Sequence, residues 1–444
     1  MKPCGLVVLA LLLAAPLRGE VKQVVVVSVD GLRPAAYLEP DRLGLKVPML
    51  RRLAAEGASA EGMRSVLPTL TYPAHTSMVT GVAPARHGIF LNSAADPEMR
   101  FGLRWYAEDV RVRTLYQAAE EKGLRTAMVF WPATLGAQVD ALLPEFWRGD
   151  RDDLKLLRAI STPGLVRGVE ARFPAFRFVT PPETRDEDLA DVAIHLILTL
   201  RPHLLLLHMI GVDHTQHEFG LASPETRAAI ENADAQLGRL VRALEQAGLW
   251  ESTVLFVVSD HGFSPVKKVA RPGVYLRQAG LLKLDERERM AAWEAAPICG
   301  GGLCEILLKH PEDAATRKKV LELFTRLVRN PESGIGRLYS PEETAQLSPD
   351  AGAFVLLEAA SGFAFSSSPR GEPVEPASRP AGHGYNPERP GQRASFVVAG
   401  AGVRHQRLAE VSILDLAPTV AFLLGLELPT AEGRALRELF EVGE

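Results

Sequence analysis

Val24-Val-Val-Val-Ser-Val-Asp-Gly-Leu-Arg33 begins as an apolar run broken only by Ser28 and ends on an acid and a glycine. Successive side chains of a strand point to opposite faces of its sheet, so a run that is apolar at consecutive positions has both faces covered. That is the condition of a parallel strand buried between layers. Working outward, further strands are expected at Thr126 to Phe130, His203 to Met209, Thr253 to Ser259 and Ser395 to Ala399. Helices are expected at Pro48 to Glu56, Thr114 to Lys122, Asp186 to Leu200, Pro224 to Ala247 and Ile413 to Leu424. The alternation predicts an α/β fold with helices on both faces of a mostly parallel sheet. Ligands of such sheets gather at the carboxyl ends of strands, and Asp30, Asp213 and Asp260 all follow expected strands there.

The chain has 444 residues, 47% of them hydrophobic, enough for one large domain with insertions or for two domains. A net charge of -4 excludes a broad cationic surface, so duplex nucleic acid is not an expected partner. Lys2, the apolar stretch Leu6 to Leu17 and Gly19 form the pattern of an export signal over 1–19, too short for a membrane span. A periplasmic or secreted location follows, with no membrane span after cleavage. The remaining cysteines, Cys299 and Cys304, form either a small-loop disulfide or a pair of buried thiols. Alternation becomes irregular between Lys268 and Pro380, so 20–267 is expected to be the first part of a catalytic core. An inserted subdomain or lid would occupy 268–380, and 381–444 would complete the core. No protein partner and no oligomeric state can be read from the sequence.

The chemistry-bearing residues sit at these strand ends. Asp213 and His217 are four apart, which places both on one helix face as ligands for a single ion; His214, His208 and His203 are neighbouring alternatives. Asp260 and His261 offer a carboxylate and an imidazole suited to a divalent transition metal. His383 lies between two glycines, which let a backbone approach a crowded site. Thr71 stands just before a helix expected to start near Ala74, where an anion is favoured; the alternative role for Thr71 or Thr69 is to cap that helix. With Asp30, these residues form a ligand inventory for two metal ions.

Taken in order, several segments resemble the nucleotide pyrophosphatase/phosphodiesterase family of the alkaline phosphatase superfamily. They are Pro68-Thr-Leu-Thr-Tyr-Pro-Ala-His75, Val79-Thr-Gly81, His87-Gly88, Asn92-Ser93, Phe130-Trp-Pro132, Asp213-x-x-x-His217, Ser259-Asp-His-Gly262 and Gly382-His-Gly-Tyr385. Asp415-Leu-Ala-Pro-Thr419 and Leu424-Gly425 extend the resemblance, which is weakest in the insertion. It implies an alkaline-phosphatase-like three-layer α/β/α sandwich and two Zn2+ per chain. Thr71 matches the nucleophile, and Asn92 matches the side chain that stabilises the phosphoryl oxygen with the Thr71 N–H. Asp213, His217 and His383 match the ligands of one zinc; Asp30, Asp260 and His261, with the Thr71 oxygen, match those of the other. Tyr72, where the family often has Phe, and Trp131 are expected to contact substrate; Ala74 stands where Asn is frequent.

Three aspartates and a threonine alkoxide would balance two dications, and bound zinc can bring a hydroxyl to its alkoxide form near neutral pH. The resemblance thus implies hydrolysis through a phospho-threonine. Val129-Phe-Trp-Pro-Ala-Thr-Leu135 has no Lys or Arg to neutralise a monoester's second charge, which favours a diester or pyrophosphate unless Arg33, Arg64 or Arg86 reaches the site. The alternatives are a phosphomonoesterase, a phosphonoacetate-hydrolase-like enzyme, or a catalytically silent metal- or nucleotide-binding protein. Sulfatase chemistry is disfavoured because no Cys-x-Pro-x-Arg or Ser-x-Pro-x-Arg site occurs.

Overall fold

In the computed structural model, residues 21–98, 102–180 and 185–441 are described, so the expected signal over 1–19 lies outside them. The centre is an eight-stranded sheet. From one edge to the other it runs Gln406–Leu408, Ala58–Ala60, Phe396–Gly400, Thr253–Val258, Gln23–Val29, Leu204–Met209, Thr126–Val129 and Ala141–Leu143. Phe396–Gly400 is antiparallel to both of its neighbours; the other adjacent pairs are parallel.

The valine run explains the layering. Val25, Val27 and Val29 point into one core, shared with Leu50 and Leu53 of the helix Pro48–Glu56 and with Leu237 and Leu240 of Pro224–Gln246. Val24 and Val26 point into a second core with Met78, Tyr116 and Val420, which lie on helices of the opposite layer. Burying such side chains contributes roughly 1.5–3 kcal/mol each relative to exposure, so the run needs both layers. The three-layer α/β/α sandwich is therefore present, with the sheet mostly parallel.

Expected and observed elements differ by a residue or so, with two informative exceptions. The segment Ile413 to Leu424 divides into a 3-10 turn, Ile413–Asp415, and the helix Leu416–Leu424. The helix expected near Ala74 instead spans Thr71–Thr80. Pro73 lies in its first turn, where a backbone N–H has no intrahelical acceptor, so proline forfeits no helical bond there.

Between Lys268 and Pro380 a second sheet forms, antiparallel throughout, in the order Ala295–Gly300, Leu303–Leu308, Ala353–Ala359 and Ile335–Leu338. The helix Ala314–Val328 buries Val320 and Phe324 in its core. Cys299 and Cys304 face each other across the first hairpin and form a disulfide. No helix among the described residues is long and apolar enough to cross a membrane.

Candidate bimetallic site

Asp30 follows the first strand directly, and the loop after it is fixed from three sides. Gly31 N–H donates to Asp260 Oδ1 at 3.1 Å, Gly31 C=O accepts from Gln216 Nε2 at 2.9 Å, and Leu32 C=O accepts from the Ser259 and Ser395 hydroxyls at 2.7 Å. A Cβ on Gly31, whose φ is +66°, would lie 2.6 Å from the Phe263 ring, so only glycine fits there. Asp213 and His217 share one face of the helix Gly211–Phe219. The start of that helix is held by Asp186, whose Oδ1 accepts from Ile210 N at 2.9 Å and Gly211 N at 3.1 Å.

These segments bring the acids and histidines together. Ligand atoms of Asp213, His217 and His383 lie within 4.8 Å of one another, as do those of Asp30, Asp213 and His261, so Asp213 belongs to both groups. Asp260 joins them, its Oδ2 3.0 Å from His261 Nε2. His217 Nε2 and His383 Nε2 are 3.1 Å apart, each within 3.5 Å of Asp213 Oδ1. The Nδ1 atoms face backbone carbonyls: His217 meets Ala381 O at 3.0 Å, His261 meets Gly262 O at 3.1 Å, and His383 meets Thr69 O at 2.9 Å. Proton donation from Nδ1 to those carbonyls leaves each Nε2 with a lone pair directed into the cluster, the arrangement of a metal-ligating histidine.

Several polar atoms of the cluster have no hydrogen-bond partner in the protein. Asp30 Oδ1, Asp213 Oδ1, Asp260 Oδ2 and His261 Nε2 are all buried and unbonded. Buried acceptors left unpaired are costly, and a cation held among these four would satisfy them together. Electrostatics agree. Burial raises the Asp30 carboxyl well above the usual carboxylate range, and the Asp260 and Asp213 charges add to this. Burial also raises Asp213. For Asp260 the penalty of burial is outweighed by His261, and its carboxyl is held well below that range; His261 is raised in turn because Asp260 outweighs its burial, so the two pair as ions unless a cation takes the place of the His261 proton. Burial, then His261 and His217, lower His383 well below the usual imidazole value, which keeps it neutral as a ligand must be. The donor set, carboxylates with imidazoles, suits zinc.

Thr71 is the first residue of its helix, with Leu70 at the N-cap and no side-chain cap bond, so the capping role considered for Thr71 and Thr69 is not the one adopted. His75, one turn on, binds Thr71 C=O at 2.8 Å and lies 3.8 Å from Asp260 Oδ2, joining the helix to the cluster. Asn92 accepts the Tyr72 N–H through Oδ1 at 3.0 Å, which leaves its NH2 as a donor. Asn92 C=O in turn accepts from Arg104 N at 2.8 Å, and the Arg104 guanidinium pairs with Asp350 at 2.7 Å.

Other residues lie elsewhere. Tyr72 and Trp131, expected against substrate, are 1% and 0% exposed, and Trp131 packs edge-on to His75 at 4.8 Å; neither ring presents a face to a ligand in this conformation. Among the alternative histidines, His214 is exposed and His203 binds Arg125 N. His208 has a role the sequence left undefined. It is fully buried with Nε2 3.2 Å from Asp30 Oδ2, and its Nδ1 lies 3.2 Å from the carbonyl of Phe130, a residue at φ +58°. Burial holds its pKa well below the usual value, so the ring is neutral, with Nδ1 facing a carbonyl and Nε2 facing the Asp30 carboxyl. Glu145 was missed altogether: it is buried, raised well above the usual range chiefly by burial, and lies 4.0 Å from His208 Nδ1. Its one signal was its place two residues beyond the apolar stretch Ala141–Leu143.

Arg33, Arg64 and Arg86 are engaged with Leu221 O, with Glu388 and Glu410, and with Glu432, respectively. A cleft of about 960 Å³ opens between Ser93 and Pro97 on one wall and Trp293, Ile298 and Ser367 on the other; it begins one residue beyond Asn92 and is lined by none of the candidate ligands.

Human ectonucleotide pyrophosphatase/phosphodiesterase family member 1 is 28% identical over 246 residues, 53% of this chain and 23% of that protein. Venom phosphodiesterase 1 of Crotalus adamanteus is 26% identical over 254 residues, 56% of this chain and 26% of that protein. The chain therefore spans about a quarter of the length of these relatives. The solved structure of human ectonucleotide pyrophosphatase/phosphodiesterase 5 superposes with a TM-score of 0.69 at 19% identity, covering 95% of this chain and 100% of that one. An inactive murine counterpart in complex with AMP superposes with a TM-score of 0.66, also at 19% identity, over 95% of this chain and 100% of that one. The family model for type I phosphodiesterase/nucleotide pyrophosphatase matches residues 24–386, from the valine strand through the His383 loop, and the chain belongs to that family.

Proposed function

We propose that this chain is an exported, zinc-dependent phosphodiesterase or nucleotide pyrophosphatase that works through a phospho-threonine. The observation that carries the reading is the convergence of Asp30 Oδ1, Asp213 Oδ1, Asp260 Oδ2 and His261 Nε2, buried and unpaired, beside a helix that begins at Thr71. Asp213, His217 and His383 would hold one ion, and Asp30, Asp260 and His261, with the Thr71 oxygen, the other. Bound zinc supplies Lewis-acid polarisation and charge neutralisation. Thr71 Oγ forms the bond to phosphorus as the bond to the leaving group breaks, and water later cleaves the Thr71 ester. The Asn92 NH2 and the Thr71 N–H, unbonded within the first helical turn, donate to a non-bridging oxygen as its charge grows.

A diester or pyrophosphate is favoured over a monoester because Arg33, Arg64 and Arg86 are committed elsewhere and 129–135 contains no cation. The names of the relatives support nucleotide substrates, and AMP in the murine structure supports a nucleoside monophosphate as the retained group. Leaving-group selection belongs to the cleft beside Ser93, formed by the segment after Asn92 and the insertion. Export is supported by the apolar N-terminal stretch and the Cys299–Cys304 disulfide. Paired turnover of bis-p-nitrophenyl phosphate and p-nitrophenyl phosphate by the zinc-loaded protein tests the assignment. The diester is expected to be the faster; faster monoester hydrolysis identifies a phosphomonoesterase, and turnover of neither ester nor of a p-nitrophenyl nucleotide ester identifies a silent binding protein.

A further inference from the structure

The glycine turn Gly300-Gly301-Gly302 joins two strands of the inserted sheet, yet its neighbours belong to the candidate site. Gly302 N–H donates to His383 C=O at 2.9 Å. A Cβ on Gly301 would lie 2.0 Å from His383 O, and one on Gly302 would lie 1.9 Å from the Tyr385 ring. A Cβ on Gly300 would meet Leu70 Cδ1 at 2.6 Å and Leu91 Cδ2 at 3.4 Å, side chains of the residues immediately before Thr71 and Asn92. The turn thus touches three segments that carry candidate site residues. Its other side is anchored in the insertion, where Gly301 C=O accepts from Phe365 N at 2.7 Å and Gly302 C=O from Ala359 N at 2.9 Å. The Cys299–Cys304 disulfide closes the base of the turn, and Cys299 N–H donates to Ser367 Oγ at 2.8 Å.

We propose that this disulfide-closed glycine turn is a positioning element for the metal-ligating histidine, with Gly301 and Gly302 as its positioning residues. His383 is held at two points. Its Nδ1 faces Thr69 O, and its carbonyl is received by Gly302 N–H, so the ring direction depends on a hairpin that starts outside the central sheet. Any side chain at position 301 or 302 displaces the 383–385 backbone or the Tyr385 ring and with them the Nε2 that completes the cluster with Asp213 and His217. Asp30, Asp260 and His261 sit on other segments and are not touched by the turn. The insertion therefore has a structural part in one half of the metal centre. This inference rests on the two-ion reading above.

The experiment compares Gly301→Ala, Gly302→Ala and the double variant Cys299→Ser/Cys304→Ser with the parent, by chelator-competition titration of zinc and by the visible spectrum of the cobalt-loaded protein. Gly362→Ala serves as control, because Gly362 also has positive φ, +79°, in the insertion but nothing within 4 Å of an added Cβ. The glycine variants are expected to lose about 10- to 100-fold in affinity for one of the two ions, the range for disturbing the support of a ligand. Their cobalt spectrum should change while the control keeps parental affinities. The double cysteine variant removes the clamp without adding a clash and is expected to weaken the same ion about tenfold, which preserves the test if either glycine variant misfolds. Parental affinity for both ions and an unchanged cobalt spectrum in the folded variants, or an equal loss in Gly362→Ala, would overturn the proposal alone. A parent that binds no metal would overturn it together with the two-ion reading.

Discussion

His208 Nε2 lies 3.2 Å from Asp30 Oδ2, on the strand that pairs in parallel with the one leading into Asp30. The contact occupies one carboxylate oxygen and leaves Oδ1 for a cation. In the proposed two-ion reading this histidine orients a ligand without being one. Replacing His208 with Ala is expected to lower metal affinity at the Asp30 site by about 10- to 100-fold. A chelator titration of H208A reads this directly, and parental affinity would show that Asp30 is oriented without His208.

Removal of the proposed nucleophile and of the proposed oxyanion donor should have separable effects. Thr71→Ala is expected to reduce diester turnover to below about a thousandth of the parent, since the nearby Thr69 hydroxyl is committed to Tyr385 O and Gln392 Oε1. Asn92→Ala, which deletes one donor, is expected to cost about 100-fold in kcat. Both variants should retain bound metal by elemental analysis. A T71A protein that keeps most of its activity would remove Thr71 from the mechanism.

Asp186 links stability to pH through the helix that carries Asp213 and His217. Burial raises its pKa from 3.8 to about 6 in the folded protein, although Gly211 and Ile210 N–H groups oppose the shift. The folded state then binds the proton more tightly than the unfolded state. The associated stability is complete below pH 3.8 and is lost as pH rises to about 6. Asp186→Asn keeps an acceptor for the two N–H groups but does not titrate. Relative to the parent, its unfolding free energy should improve by about 3 kcal/mol across that window. Denaturant melts at several pH values decide the matter; parallel curves for parent and variant would contradict it.

The sandwich was legible because a strand covered on both faces, such as Val24 to Val29, has a composition few other elements share. Acids placed directly after strands were legible for the same reason, since the end of an apolar run marks Asp30 and Asp260. Asp213 and His217 followed from helical spacing. The insertion was harder to read. Its strand Leu303–Leu308 buries Glu305, and Ala353–Ala359 includes Glu358, so charge interrupts the periodicity that marks strands elsewhere. The start of the helix at Thr71 was obscured by Pro73, which reads as a boundary yet is tolerated in a first turn. His208 was one of several nearby histidines until the pairing of its strand with the first strand set it beside Asp30. The burial of Tyr72 and Trp131 depends on packing between distant segments, which no local pattern encodes.

Zinc stoichiometry tests the central claim most directly. Asp213 Oδ1 faces His217 and His383 and also belongs with Asp30 and His261, whereas His383 serves one group alone. Elemental analysis of the reconstituted parent should give two zinc ions per chain, of His383→Ala about one, and of Asp213→Ala fewer than one. A parent without zinc, or the same count in all three proteins, would contradict the account.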